Sequence, residues 1–182
     1  MSAAEELVEE IDEHGRVVRV VTRAEMRAQN LRHRTVAVVV VTGAGEVVAH
    51  RRADWKDVWP GQWDVCFGGV TRVGEDWVEA ARRELAEEAG IEVDAPALRE
   101  LGDGSYADAD VSEYSRVFVT THDGPFHPVD GEVAELVLVP LAGLDGWLAG
   151  RELLADAAAI VVPLLRRLAR GDAPASPHTA GG

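Results

Sequence analysis

The chain has 182 residues, 47% of them hydrophobic, which is enough for one well-packed domain and argues against global disorder. Thirty-two acidic against eighteen basic side chains leave a formal charge of −14. That balance argues against a nucleic-acid polymer as partner but not against a small phosphorylated ligand, because a bound metal and a few arginines reverse the field locally. No apolar run reaches the roughly 20 residues of a membrane span, the acidic start is unlike a signal peptide, and the single Cys66 excludes an internal disulfide and a cysteine zinc site. These features predict a soluble cytoplasmic protein without a membrane partner.

In chain order, "ELVEEID" and "RVVRVVT" read as a hairpin turning at Gly15, and "RAEMRAQNLRHR" as a helix. The β-branched run "TVAVVVV" suits a strand buried on both faces, and "VVAHRR" returns as its hairpin partner. "ADWKDVWPGQWD" is a loop punctuated by Pro60 and Gly61, and "VCFGG" is a short strand ending at paired glycines. Residues 76–89 form the strongest helix, with Gly90 at the position of a C-terminal cap. "ALRELGDGSY", "YSRVFVTTH" and "EVAELVLVPL" read as strands, and "ELLADAAAIVVPLLRRLAR" as a last helix with Pro163 as the site of a kink. The expected organisation is one domain: an N-terminal hairpin and helix over 1–34, a main body over 35–170, and a disordered tail over 171–182.

The helix at 76–89 carries an unusual stripe. Glu84, Glu87 and Glu88 leave the same side of the cylinder, where like charges repel by a few tenths of a kcal/mol per pair. On a helical projection from Trp77, the apolar arc holds Trp77, Val78, Ala81, Leu85 and Ala89, and the three glutamates lie at its edge, not opposite it. Carboxylates bordering a core lose solvation and need protons, paired cations or metal. Arg83 is placed to pair with Glu87, and a hard cation such as Mg²⁺ takes oxygen ligands of this kind.

The flanks of the stripe add a specific signal. Gly69, Glu75, Arg83, Glu84, Leu85, Glu87, Glu88, Gly90 and Ile91 match all nine specified positions of the Nudix box without a gap. The chain therefore resembles a Nudix hydrolase. "NLRHRTVAVVVV", "GEVVAHRR", "KDVWPGQWD" and "GEVAELVLVPL" look like the hydrolase subgroup related to isopentenyl-diphosphate isomerase.

This resemblance implies an α/β/α sandwich with a mixed sheet and the box helix on one face. It also implies Mg²⁺- or Mn²⁺-dependent cleavage of a diphosphate linkage by water attack on phosphorus. Its metal ligands would be Glu84, Glu87 and Glu88 with the Gly69 carbonyl, Glu75 would support the site, and Arg83 would hold Glu87 or a neighbour in its rotamer. A further carboxylate is expected from "GEVAELVLV", with Glu135 preferred over Glu132. Arg52 and Lys56 are candidates for the diphosphate. His33 lies near a metal-binding histidine of the isomerases, and Trp55, Trp59 and Trp63 are candidates for base stacking. The substrate class left open runs from nucleoside diphosphate derivatives to prenyl diphosphates, and the family's habit makes a homodimer plausible.

Two rival readings meet particular residues that disfavour them. An isomerase would carry its catalytic cysteine at Gly68 and a metal-binding histidine at Val70, and neither residue type is there. A non-catalytic nucleotide-sensing domain would typically lose box carboxylates or add a DNA-binding segment, and this chain does neither.

Overall fold

The computed structural model describes residues 3–56, 58–128 and 131–172. Strands β1 (Leu7–Ile11) and β2 (Val17–Thr22) form the expected antiparallel hairpin, with Gly15 at φ 77°, a left-handed backbone that glycine adopts without strain. Thr22 then caps α1 (Arg23–Ala28), its hydroxyl accepting from the Glu25 N–H at 3.1 Å. This helix is shorter than the sequence suggests. Asn30 turns left-handed at φ 49°, and His33 and Arg34 join the next strand instead. Pairing along a whole strand outweighs the weak helical propensity of those residues.

That next strand, β3 (His33–Val41), is the hub of the sheet. It runs parallel to β8 (Ser112–Thr121) from His33↔Glu113 to Val41↔Thr121. Its other edge pairs with β6 (Phe67–Val70), where Ala37 faces Gly68. A Cβ on Gly68 would run into the Val36 carbonyl oxygen, so only glycine allows this close approach. β4 (Glu46–Arg52) follows β3 through a turn and pairs with β9 (Val133–Pro140) and with β5 (Trp63–Asp64). β7 (Arg99–Ala107) completes the mixed sheet against β8.

Side chains alternate along β3 and so divide the core into two layers. Val36, Val38 and Val40 pack with Phe67 under α2 (Trp77–Ala89), which buries Ala80, Ala81, Leu85 and Ala89. Ala37 and Val39 face the other way, with Val117 and Val119, toward the C-terminal helical region. α2 begins at Asp76, whose carboxylate accepts from the Val78 N–H at 2.9 Å, and stops at Gly90 in the left-handed region at φ 66°.

The chain's last quarter differs in detail from expectation. A short helix, α3 (Leu144–Leu148), precedes the C-terminal one. The latter is a π-helical stretch, Ala157–Val161, leading into α4 (Val162–Ala169). Pro163 sits in the first turn of α4, where its missing N–H costs little, and the irregularity lies just before it. The tail expected to lack structure falls, from residue 173 on, outside the described residues. The whole is an α/β/α sandwich with the box helix on one face.

Candidate active site

The box glutamates meet at the end of β6. Glu84 is 8% exposed, although helix propensity alone would not bury a charge. A Cβ on Gly69 would lie 2.8 Å from Glu84 Oε1, so this glycine makes the space the carboxylate occupies. Glu88 reaches back to the same strand and accepts from the Gly68 N–H at 2.8 Å. The two glycines therefore serve different partners: Gly68 admits the neighbouring strand, and Gly69 admits the acid.

Arg83 threads this cluster. Its Nε and Nη2 donate to the two oxygens of Glu75 at 2.8 and 2.9 Å. Its Nη1 donates to Glu84 Oε1 at 2.6 Å and to Glu87 Oε2 at 3.2 Å. Burial opposes the ionised form of Glu75, but its bonds from Arg83 and the Arg72 N–H hold its carboxyl below the ordinary value. Burial likewise opposes the Arg83 cation, and Glu75 and Glu84 overcome it. Glu84 is pushed up, first by burial, because Arg83 offsets that cost only in part. Glu88 is pushed well above the usual carboxylate range by burial and by the charge of Glu84.

Arg83, Glu84, Glu87 and Glu88 line one cavity of about 300 Å³, with Gly68 and Gly69. Among the described residues no group of three or more histidine, cysteine or acidic side chains stands in place to hold a metal ion. Arg83 occupies the middle of the box carboxylates instead. The donor set nevertheless fits a hard cation. It consists of oxygens alone, contributed by Glu84, Glu87, Glu88 and the Gly69 carbonyl around one cavity.

Other expected residues divide in two. Arg52 and Lys56 line the cavity. The Arg52 Nε is buried without a hydrogen-bond partner, while Lys56 is ion-paired with Glu132. Glu135 does not line the cavity: it stands exposed on β9 opposite Arg51, 3.9 Å from its guanidinium. Glu132, just before that strand, lines the cavity. Trp59 borders the cavity and packs edge-on against Tyr106, Trp63 packs edge-on against Trp147, and Trp55 is 65% exposed. Cys66 is buried, its thiol pushed up first by burial, and it donates to Asp64 Oδ1 at 3.2 Å; it is a core residue.

The structure also brings in residues that no local motif announces. Asp64 at the end of β5, Glu113 on β8 and Asp156 at the start of the π-helical stretch line the cavity from the face opposite α2. His33 and Thr35 on β3 stand with them. Glu113 is pushed up to about 8 and Asp156 to about 7, each by burial first and then by a neighbouring acid. His33 is pushed down to about 4 by burial, and its Nδ1 lies 2.9 Å from the Leu31 carbonyl, so the neutral ring donates there and leaves Nε2 as an acceptor.

Comparison with known proteins is decisive about family. The NUDIX domain model matches residues 31–160. The chain belongs to the NUDIX family. It is 37% identical over 134 residues to the Nudix hydrolase YfcD of Escherichia coli, covering 74% of this chain and 73% of that protein. It is 36% identical over 157 residues to the Nudix hydrolase SCO1686 of Streptomyces coelicolor, covering 86% of each. Among solved structures, DR0079 of Deinococcus radiodurans superimposes with a TM-score of 0.71 at 25% identity, over 89% of this chain and 98% of that one. The NUDIX domain of Shewanella oneidensis NrtR, solved with ADP ribose, shares the fold with a TM-score of 0.60 at 18% identity, over 81% of this chain and 99% of that one. This Nudix chain is accordingly a hydrolase of pyrophosphate bonds, and no helix among its described residues is long and apolar enough to cross a membrane.

Proposed function

We propose that this chain cleaves the diphosphate linkage of a small organic diphosphate, a nucleoside diphosphate derivative foremost, with Mg²⁺ or Mn²⁺ held by Glu84, Glu87, Glu88 and the Gly69 carbonyl. The observation that carries this reading is the convergence of the three box carboxylates, Gly69 and Arg52 on one cavity. When bound, the cation neutralises diphosphate oxygens and lowers the proton affinity of water.

The chain's own residues do the rest. Arg83 holds Glu84 and Glu87 in fixed rotamers, and Glu75 in turn fixes Arg83 from the loop before the helix. Arg52 offers the diphosphate a buried N–H that has no partner within the protein, a favourable charge-assisted site. Lys56, held beside Glu132, adds a second cation at the same end. A box carboxylate not engaged with the cation takes the proton of the attacking water. Such positioning and charge neutralisation are most of what phosphoryl transfer demands. The narrower kinship with isomerase-related hydrolases, a homodimer and a cytoplasmic setting rest on the family resemblance and belong to this reading.

The test is release of phosphate-containing products from a panel of nucleoside diphosphate derivatives and isoprenoid diphosphates, with and without Mg²⁺ or Mn²⁺. Metal-dependent turnover that Glu87→Gln abolishes is the expected result. Tight metal-dependent binding of one member with no turnover of any would replace hydrolysis with nucleotide sensing.

A further inference from the structure

The hairpin of β1 and β2 and the helix α1 lie before residue 31, outside the residues matched to the family, and the hydrolytic reading gives them no task. They are nevertheless fixed against the box. Val8 and Val21 of the hairpin and Met26 of α1 are buried together with Val70, the last residue of β6. Apolar burial sets where the hairpin sits, and its polar side chains then act from a fixed base.

Two glutamates reach from this base to the loop between β6 and α2. Glu9 Oε1 accepts from the Gly74 N–H at 3.1 Å, and its Oε2 accepts from Arg34 Nη1 at 3.3 Å. Gly74 is followed by Glu75, the residue that holds Arg83 through both carboxylate oxygens. Glu6 Oε1 accepts from Arg72 Nε at 3.4 Å, and its Oε2 accepts from Arg23 Nη1 at 2.9 Å. The Glu6 carbonyl also accepts from the Arg23 N–H at 2.7 Å, so backbone and side chain are both held.

Arg72 turns these contacts toward the chemistry. Its Nη2 donates to Glu87 Oε1 at 3.4 Å, while Arg83 Nη1 donates to Glu87 Oε2 at 3.2 Å. Glu87 is half exposed, so packing does not choose its rotamer. Two guanidinium groups do, one on each oxygen. Arg83 belongs to the same helix, whereas Arg72 belongs to the loop and its side chain is 51% exposed. Holding a long, exposed side chain in one geometry costs conformational entropy, and a second partner offsets that cost. Glu6 is the second partner of Arg72. The hairpin also carries ion pairs of a different kind: Arg16 with Asp12 and Arg19 with Glu10 close within the hairpin itself. Glu6 and Glu9 instead converge on residues 72–75 of the box.

We propose that the N-terminal hairpin braces the box, with Glu6 and Glu9 as positioning residues that set, through Arg72 and the Gly74 backbone, the rotamer in which Glu87 is offered to the cation. This rests on the hydrolytic reading for the place of the cation, and it makes residues outside the family domain necessary to the site.

The test uses the full chain with Mn²⁺ alone as the probe. Calorimetric binding and melting temperature are measured for wild type, Glu6→Ala, Glu9→Ala, the double alanine variant and Glu9→Gln. Glu10→Ala is the control, because it removes an ion pair whose partner, Arg19, also lies in the hairpin. Exposed ion pairs contribute little to stability, so every variant is expected to melt close to wild type. Each single alanine variant at Glu6 or Glu9 is expected to weaken Mn²⁺ binding several-fold, and the double variant tenfold or more. Glu9→Gln keeps an acceptor for the Gly74 N–H and should regain most of what Glu9→Ala loses. Glu10→Ala should bind as wild type does.

Wild-type affinity in the double variant, an equal loss in Glu10→Ala, or no gain of Glu9→Gln over Glu9→Ala would each overturn the brace. Should the double variant unfold, Glu9→Ala against Glu9→Gln and Glu10→Ala decides. Turnover of the diphosphate panel judges the hydrolase separately. If nothing is turned over but Mn²⁺ affinity follows Glu6 and Glu9, the brace stands and the hydrolase falls. If turnover is found and affinity ignores both residues, the hydrolase stands and the brace falls. A wild type that binds no Mn²⁺ overturns both.

Discussion

Two acidic regions face each other across the cavity, and they solve the same electrostatic problem differently. On α2, Glu84 and Glu87 are neutralised by a cation within the protein, Arg83, which Glu75 anchors. Across the sheet, Glu113 and Asp156 are pushed into the neutral range by burial and by neighbouring acids, so protons neutralise them. Arginine offsets the burial of Glu84 only in part, and Glu88, with no arginine among the described residues bonded to it, is pushed well above the usual carboxylate range. A region balanced by protons presents hydrogen-bonding groups with little net charge. The lesson is that the number of acids says little until their counter-charges are identified.

The comparison breaks most visibly at Glu87. It is half exposed, so Glu87→Gln should leave the fold intact while lowering metal-dependent turnover by about 10²-fold or more. Product release in Mg²⁺ measures it, and chelation should abolish wild-type turnover altogether. Arg83→Met removes the internal cation from buried acids and should cost about 3 kcal/mol or more of stability. Added Mg²⁺ should restore part of that loss in a melting experiment. A variant as stable as wild type without metal would show that Arg83 does not carry the balance.

The two glycines sharpen the same point at smaller cost. Gly68→Ala sets a methyl group against the Val36 carbonyl in the neighbouring strand and should lose about 3 kcal/mol. Gly69→Ala meets only the carboxylate of Glu84, which can swing away, so about 1 kcal/mol is expected. The metal concentration needed for turnover should nonetheless rise in Gly69→Ala.

The smallest effect is a pH slope from the opposite region. Glu113 and Asp156 bind protons more tightly in the folded chain, at about 8 and about 7, than at their ordinary 4.5 and 3.8. The folded state therefore holds the extra protons, and stability falls as pH rises from about 4 to 8. Glu84 and Glu88, also raised, act in the same direction. Glu113→Gln removes one titration and should flatten the decline in melting temperature measured without metal. An unchanged slope would show that Glu113 is charged in the folded protein.

Much of this molecule is legible in the sequence because its signals are local. The nine-position box, the helix ended by Gly90 and the hairpin turned by Gly15 each depend on residues close together in the chain. Backbone handedness and helical periodicity act over a few residues, so spacing alone places Glu84, Glu87 and Glu88 together. The choice between Glu132 and Glu135 was not legible, because it depends on which side of β4 the chain enters β9. The early end of α1 was hidden for a similar reason: β8, far along the chain, draws His33 into the sheet.

Sequence by itself determined the box, its helix and its hard-oxygen donor set. Only the tertiary structure brought Thr35, Asp64, Glu113 and Asp156 to the opposite wall of the same cavity. These residues come from different strands and a helix start, joined by sheet pairing and not by spacing, and their proton affinities depend on burial that exists only once both core layers have closed over them.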